Sequence, residues 1–236
     1  KSFKGNGLHI EFANDMAAIT EMPGMTGTSP YYIERVTGIF RLHDDSGLYD
    51  GHGMELISFE SKDQEHVTLI MENSVTRLTC SFVYKDGVWS RKDSIKNLQD
   101  KEGTIRCYLS RFNFLGDMFK LYAQEGAWCI ENQGKWLDFT GGSINITNMG
   151  VRTTESAFPF ACLRDIEQGN GLAFHLLPIG HWVMKFNKYY SGSLAVVSAE
   201  LGLSDDCMAL KMQPGEELEM PEILFYSVQP GDNGLG

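Results

Sequence analysis

The chain has 236 residues, 42% of them hydrophobic, with 31 acidic against 20 basic side chains and a formal net charge of −11. The apolar fraction supports a sizeable core and excludes a disordered chain. The negative charge, with no Lys/Arg cluster to override it, sets nucleic acid and anionic membrane aside as partners. The longest uncharged apolar runs are also far too short to cross a bilayer. The opening Lys1-Ser2-Phe3-Lys4 reads as the start of an excised segment, with room for a removed targeting segment before it. Cys80, Cys107, Cys129, Cys162 and Cys207 are widely spaced and odd in number, with no Cys-x-x-Cys pair. That pattern argues against a disulfide framework and a zinc site, and for buried free thiols in a reducing cytoplasm.

Residues 7–21 alternate weakly through Leu8, Ile10 and Phe12 and then run Met16-Ala-Ala-Ile-Thr20, which reads as two short strands. Residues 23–30 are a loop by composition. Residues 32–43 carry Ile33, Val36, Ile39, Phe40 and Leu42 and read as a strand that ends in the turn chemistry of Asp44-Asp45-Ser46-Gly47. Strands follow at 54–59, 67–71, 76–84 and 88–95. Between the last two, Asp86-Gly87 supplies the positive φ values of a tight hairpin. Residues 97–103 are polar and fit a loop or one helical turn; 104–114 is again a strand.

Residues 117–128 fit two periods. Met118, Leu121, Tyr122 and Glu125 suit a helix, while Phe119, Leu121 and Ala123 suit a strand. Strand-like runs on both sides favour the strand. Short apolar runs continue at 143–147, 159–163, 171–177, 182–186, 194–199 and 208–212. The last is 223–228, after the Pro214-Gly215 turn, with Pro221 placed for a strand start or an edge. Many short strands with no helix of three turns predict an all-β fold. The length suits one such domain, since sandwiches reach ~200–250 residues as single units. With this many strands, two large stacked sheets, predominantly antiparallel, are expected.

Several stretches carry a resemblance. The close of the chain, Gln213-Pro-Gly-Glu-Glu-Leu-Glu-Met-Pro-Glu-Ile-Leu-Phe-Tyr-Ser-Val228, joins a Pro-Gly-Glu turn to Pro-Glu and an apolar strand ending in Tyr-Ser. Cys107-Tyr-Leu-Ser-Arg-Phe-Asn-Phe114 precedes Leu121-Tyr-Ala-Gln-Glu-Gly-Ala-Trp128, with its Gly-x-Trp. Glu155-Ser-Ala-Phe-Pro-Phe-Ala-Cys-Leu163 leads to Gly171-Leu-Ala-Phe174, and Ser94-Ile-Lys-Asn97 holds an Ile-x-Asn. By their order and spacing along the chain they resemble the N-terminal β-supersandwich of family 36 glycoside hydrolases, the α-galactosidases, over about residues 32–228. The family's Ser-Gly-Asn is replaced by Pro178-Ile-Gly-His-Trp182.

The resemblance implies a galactose mutarotase-like supersandwich. Residues 1–30 would form part of it or pack on it, 31–228 would be the sandwich, and 229–236 would begin a linker to a missing catalytic barrel. It implies no metal and no cofactor. It implies retaining α-glycoside hydrolysis by two barrel Asp carboxylates, and therefore no catalytic residue in this segment. Lys135-Trp136-Leu137-Asp138 differs from the family's Lys-Trp-Asp by an extra Leu. The partners implied are the chain's own C-terminal barrel, carbohydrate and further copies in a homo-oligomer.

A sugar contact would use aromatic faces and short-range hydrogen bonds. By resemblance, the loop His43-Asp44-Asp45-Ser46-Gly47-Leu48-Tyr49-Asp50-Gly51-His52 lies near a neighbouring subunit's active site, which makes Asp44, Asp45, Tyr49, Asp50 and His52 candidates. The bland reading is a solvated acidic turn. Trp128 and Trp136 flank the polar Glu131-Asn-Gln-Gly134 and are further candidates, although packing is the commoner role of a Trp, here also for Trp89 and Trp182. A second reading is sugar-ring mutarotation with an acid and a base drawn from His175, His181 and Glu222. A His inside an apolar run such as Phe174-His-Leu-Leu177 is more often a core residue. A third is a stand-alone carbohydrate-binding or oligomerisation module.

Overall fold

The computed structural model describes residues 2–13, 16–27, 39–44, 47–50, 54–127, 130–150, 154, 156–204, 206 and 208–229. Every regular element among them is a β-strand, and every pairing is antiparallel. The first strands are β1 (Ser2–Gly5), β2 (Leu8–Ala13), β3 (Met16–Met22), β4 (Met25–Thr26), β5 (Ile39–Asp44) and β6 (Gly47–Asp50). Next come β7 (Glu55–Ser61), β8 (His66–Glu72), β9 (Thr76–Lys85), β10 (Val88–Asn97) and β11 (Gly103–Leu115). The middle holds β12 (Phe119–Ala127), β13 (Ile130–Phe139), β14 (Gly142–Asn148), β15 (Ala157–Asp165) and β16 (Gly171–Leu177). The last are β17 (Trp182–Ser191), β18 (Leu194–Leu203), β19 (Leu210–Met212), β20 (Glu217–Glu219) and β21 (Glu222–Val228).

The segment that fitted both periods is strand β12, paired on both sides, so its flanking strands decide its state. Residues 98–102 form a loop, held by the buried side chain of Asn97. Its Nδ2 donates to the carbonyls of Lys101 (2.9 Å) and Met212 (3.2 Å), and its Oδ1 accepts from the Gln99 amide. Its own backbone exchanges hydrogen bonds with Glu216 and Gly215, which pins the Pro214-Gly215 turn to the end of β10. Asp86 (φ 50) and Gly87 (φ 88) make the expected hairpin turn. Of the strand expected at 32–43, residues 39–43 are in β5; 32–38 lie outside the described residues.

Two large sheets face each other. A ten-stranded sheet runs β13-β12-β15-β16-β21-β10-β9-β8-β7, with β20 also on β10. A seven-stranded sheet runs β14-β17-β18-β11-β5-β6, with β19 also on β11. A third sheet, β1-β2-β3-β4, adds to the expected pair of layers. Its Phe3 meets Trp89 edge-on at 6.1 Å, its Phe12 stacks on Phe59, and Gly27 bridges to Phe114 of β11. Phe3, Leu8, Ile10 and Ile19 therefore belong to the same core cluster as the large sheets.

Aromatic rings fill the space between the layers. Phe112 and Phe114 of β11 meet Phe174 of β16 at 5.3 and 6.1 Å, and Phe112 also meets Phe225 of β21 at 5.3 Å. Each such ring contributes about 1.5–3 kcal/mol by burial. Trp89 and Trp182 are fully buried here, as packing predicts for them. Cys80, Cys107 and Cys162 are buried free thiols; Cys129 and Cys207 lie outside the described residues.

Within this apolar layer β10 buries a charge pair. Arg91 and Asp93 are both fully enclosed, with Nε 3.0 Å from each carboxylate oxygen and Nη2 2.8 Å from Oδ2. The opposite sheet completes the set. Tyr108 and Ser110 of β11 donate hydroxyls to Asp93 Oδ2 at 2.5 and 2.7 Å, and Arg91 Nη1 donates to the Arg111 carbonyl at 2.8 Å. Phe82 and Phe112 flank the guanidinium. Burial alone would raise the Asp93 pKa, but the Arg91 charge and three donors outweigh it and hold the carboxyl below its ordinary value. Burial and the Asp93 charge push the Tyr108 hydroxyl well up, so it stays a donor.

Removing one charge from a buried pair strands the other, so Asp93→Asn is expected to lower the unfolding free energy by about 3–5 kcal/mol. Because the folded pKa of Asp93 lies below its unfolded value of about 3.9, its stabilisation is complete above that pH and is lost as pH falls through the folded value. Urea midpoints followed into acid should show that loss in the parent chain and a shallower acid limb in Asp93→Asn. Equal acid limbs would mean that the pair does not carry the titration.

Candidate functional site

Strand alternation decides what the outer face of the ten-stranded sheet displays. On β16, Leu172, Phe174 and Leu176 enter the core, whereas His175 and Leu177 point out and are exposed. This corrects the expectation of a core histidine: the apolar run 172–177 alternates in space, and position 175 falls on the outer side. Cross-strand register then builds two outward rows. One runs Trp136, Tyr122, Cys162, Ala173 and Tyr226 across β13, β12, β15, β16 and β21. The other runs Phe160, His175, Leu224 and Ser90 across β15, β16, β21 and β10.

These rows form a second apolar cluster, separate from the main core. Tyr122, Cys162, Ala173 and Val228 are buried beneath Phe160 and Tyr226. Trp136 lies 5.3 Å from Tyr122 and keeps 37% of its surface exposed. Gly134 leaves room for the Tyr122 hydroxyl, since a Cβ there would stand 1.8 Å from that oxygen. The Arg164 guanidinium lies over the Trp136 ring, 4.9 Å from its centre. Its Nε and Nη2 are enclosed and have no hydrogen-bond partner. Burial pushes the Cys162 thiol up to about 12, against the opposing effect of the Arg164 charge, so the sulfur is a packed thiol and not a nucleophile.

His175 and Glu222 share this face. His175 pairs in register with Leu224 and Glu222 with Leu177, so the two are diagonal neighbours, about 7–8 Å apart. Loss of water around the imidazole lowers the His175 pKa, and the ring meets Phe160 edge-on at 6.2 Å. Glu222 accepts a short hydrogen bond from Ser90 Oγ. His181 is elsewhere: it lies in the connection from β16 to β17 and, with Ile179, Ser204, Asp206, Met208 and Leu210, lines a cavity of about 430 Å³.

Of the other candidates, Asp44 ends β5, and Tyr49 and Asp50 lie on β6, in a hairpin where Asp44 pairs with Gly47 and Tyr49 with Leu42. Asp45, His52 and Trp128 lie outside the described residues. Asp138 of the Lys135–Asp138 run is tied at 3.3 Å to Lys120 on an edge of the ten-stranded sheet. Among the described residues no three His, Cys, Asp or Glu side chains converge as metal ligands would. Nor does any helix among them have the length and hydropathy to cross a membrane. Sequence reading missed Arg164, Tyr122, Phe160 and Ser90. The signal for the first three was the alternation Phe160, Cys162, Arg164 beside Tyr122, whose outward side shows only once the strands are paired.

No protein-family model matches the chain, and no curated protein resembles it in sequence. Solved structures do resemble it. The galactosidase domain of the α-galactosidase–sucrose kinase AgaSK superposes with a TM-score of 0.83 at 11% identity, over 98% of this chain and 40% of that one. The family 36 α-galactosidase AgaA from Geobacillus stearothermophilus gives 0.79 at 12%, over 100% of this chain and 41% of that one. A candidate aldose 1-epimerase from Escherichia coli K12 gives 0.58 at 10%, over 97% and 98%. At these identities the likeness is one of fold. The fold is thus shared with part of the family 36 α-galactosidases and with the epimerase, and this chain spans about two fifths of the α-galactosidases' length.

Gly134→Ala is expected to displace the Tyr122 ring and open the outer cluster, costing about 1–3 kcal/mol as overpacking does. Site-resolved thiol labelling checks this. Cys162 should be inert in the folded parent chain and label measurably in Gly134→Ala; an unchanged rate would mean that Tyr122 does not seal the thiol.

Proposed function

We propose that this chain is the front β-supersandwich domain of a larger retaining α-glycosidase of the α-galactosidase type, with no chemistry of its own. The observation that supports it most is the superposition of 98% of the chain on about two fifths of an α-galactosidase, closer than on the epimerase, TM-score 0.83 against 0.58. On this reading the domain docks on its own catalytic barrel and takes part in a homo-oligomer. The β5–β6 hairpin, with Asp44, Asp45, Tyr49 and Asp50, and His52 beyond it, completes a sugar pocket on a neighbouring subunit. The buried free thiols suit the reducing cytoplasm. No metal or cofactor is called for. A retaining pair of carboxylates stands ~5–5.5 Å apart across the scissile bond, and the two acids that drew attention here are engaged elsewhere, Asp138 with Lys120 and Glu222 with Ser90.

One observation favours a second reading, an aldose 1-epimerase-like mutarotase or a stand-alone carbohydrate-binding module. His175 and Glu222 emerge on the same outer face, and the epimerase match spans nearly the full length of both chains. An acid and a base diagonal to one another could reach the anomeric oxygen and O5 of one sugar ring.

Polarimetry of fresh α-D-galactose and α-D-glucose, with p-nitrophenyl-α-galactoside hydrolysis alongside, separates the two. The 236-residue chain is expected to match buffer in both assays. Accelerated mutarotation that drops about 10²-fold or more in His175→Ala or Glu222→Ala, as loss of a general acid or base does, would overturn the accessory-domain reading and make the chain an epimerase.

A further inference from the structure

We infer that the outer face of the ten-stranded sheet around Trp136, Tyr122, Phe160 and Arg164 is where the following domain of the longer chain docks, and that this domain presents a carboxylate to Arg164. The inference rests on the reading of the chain as the front part of a larger enzyme. It adds which face is used and the chemistry that the partner brings.

The two layers differ on their outer sides. On the seven-stranded sheet the outward residues Cys107, Leu109 and Val183 form a closed cluster, and Asn113, Ser198 and Glu200 beside them are buried within the chain itself. The ten-stranded sheet leaves apolar surface open on its outer side: Val83 (39%), Leu177 (38%) and Trp136 (37%) are exposed around the half-buried Leu224, Phe160 and Tyr226. A contiguous aromatic and aliphatic patch of this kind on one face of a sheet marks a contact surface.

Arg164 gives the patch its polarity. Two of its nitrogens are enclosed without an acceptor, on a chain whose net charge is −11. Lys120, its partner across β12 and β15, is already paired with Asp138. A guanidinium whose inner nitrogens lack acceptors is stabilised by a carboxylate arriving at Nη1, the nitrogen that is not enclosed, through the opposite charge and a charge-assisted hydrogen bond. A Trp and an Arg packed together, here at the β13 border of the apolar patch, are also residue types enriched among the side chains that dominate protein–protein contacts. The guanidinium occupies one face of the indole, which removes that face as a stacking platform for a pyranose ring. The course of the chain agrees. Val228, at the end of β21, belongs to the outer cluster, so a domain joined to that end would be held near the patch.

Hydroxyl-radical footprinting with mass spectrometry tests this on two proteins, the 236-residue chain and the full-length product of its gene. Oxidation of Trp136, Phe160 and Leu177 is expected to fall severalfold in the longer protein, while Tyr190, 61% exposed on β17, is unchanged. Arg164→Met should restore that oxidation in the longer protein, yet leave the heat-unfolding midpoint of the 236-residue chain unchanged or higher, because it removes an unpaired charge. Protection at Tyr190 with Trp136 unaltered would overturn the docking face and leave the front-domain reading standing. A gene product with no α-glycosidase domain would sink that reading and its partner together. Protection of Trp136 in the 236-residue chain by free galactose would make the face a sugar platform and overturn the inference.

Discussion

Arg91 and Asp93 stand two residues apart on the inner side of β10, fully enclosed, and β10 alone cannot satisfy them. Within the strand they neutralise each other, but a guanidinium and a carboxylate have more donors and acceptors than one ion pair uses. The remaining bonds come from β11 in the facing sheet, through the Tyr108 and Ser110 hydroxyls and the Arg111 carbonyl. The pair is therefore tolerable only when the two layers meet in one register. Its value lies less in net stability than in this condition, because apolar residues of similar volume often do as well energetically. Here a sliding of the sheets past each other would strand a charge in an apolar layer of Phe82, Phe112, Phe174 and Phe225.

The register set there propagates to both faces. With Trp89, Arg91, Asp93, Ile95 and Asn97 fixed inward, β10 is committed, and the ladder through β21, β16, β15 and β12 commits the outward set in turn. A slip of one residue in any of these strands would send the outward Tyr122, Cys162 and His175 into the core. At the far end of β10, Asn97 spends its side-chain amide on the loop and turn that lead into β20 and β21. The closing strand, central in its sheet, is thus held in place from the same element.

The surface on which the proposed function rests is a different part of the molecule from the core that holds the sheets together. The inner layer is dense, aromatic and closed, and its ionisable groups are bonded in pairs. The outer face of the ten-stranded sheet has a small core of its own, an exposed indole and a guanidinium short of acceptors, along with a histidine and a glutamate on adjacent strands. A supersandwich serves both α-glycosidases and epimerases, so the fold does not choose between them. The balance of this face does bear on the choice: it is richer in contact surface than in freely available acid and base groups, since Glu222 already binds Ser90.

Much of the architecture is set by local sequence. Short apolar runs divided by Gly, Pro and Asp forced an all-β chain, Asp86-Gly87 fixed a hairpin, and Pro221 stood just ahead of the strand it precedes. Motif order along the chain also pointed to the fold that the comparisons show. Local sequence does not determine which side of a strand faces in, because an apolar run such as Leu172–Leu177 reads alike from either side. Only sheet pairing turned His175 outward, drew Arg91 and Asp93 inward, brought Trp136 beside Arg164 from strands with β12 between them, and laid β1–β4 against the common core. Those placements depend on partners tens of residues away, and the free energy that selects them comes from packing and hydrogen bonding between strands, not from any one strand's own residues.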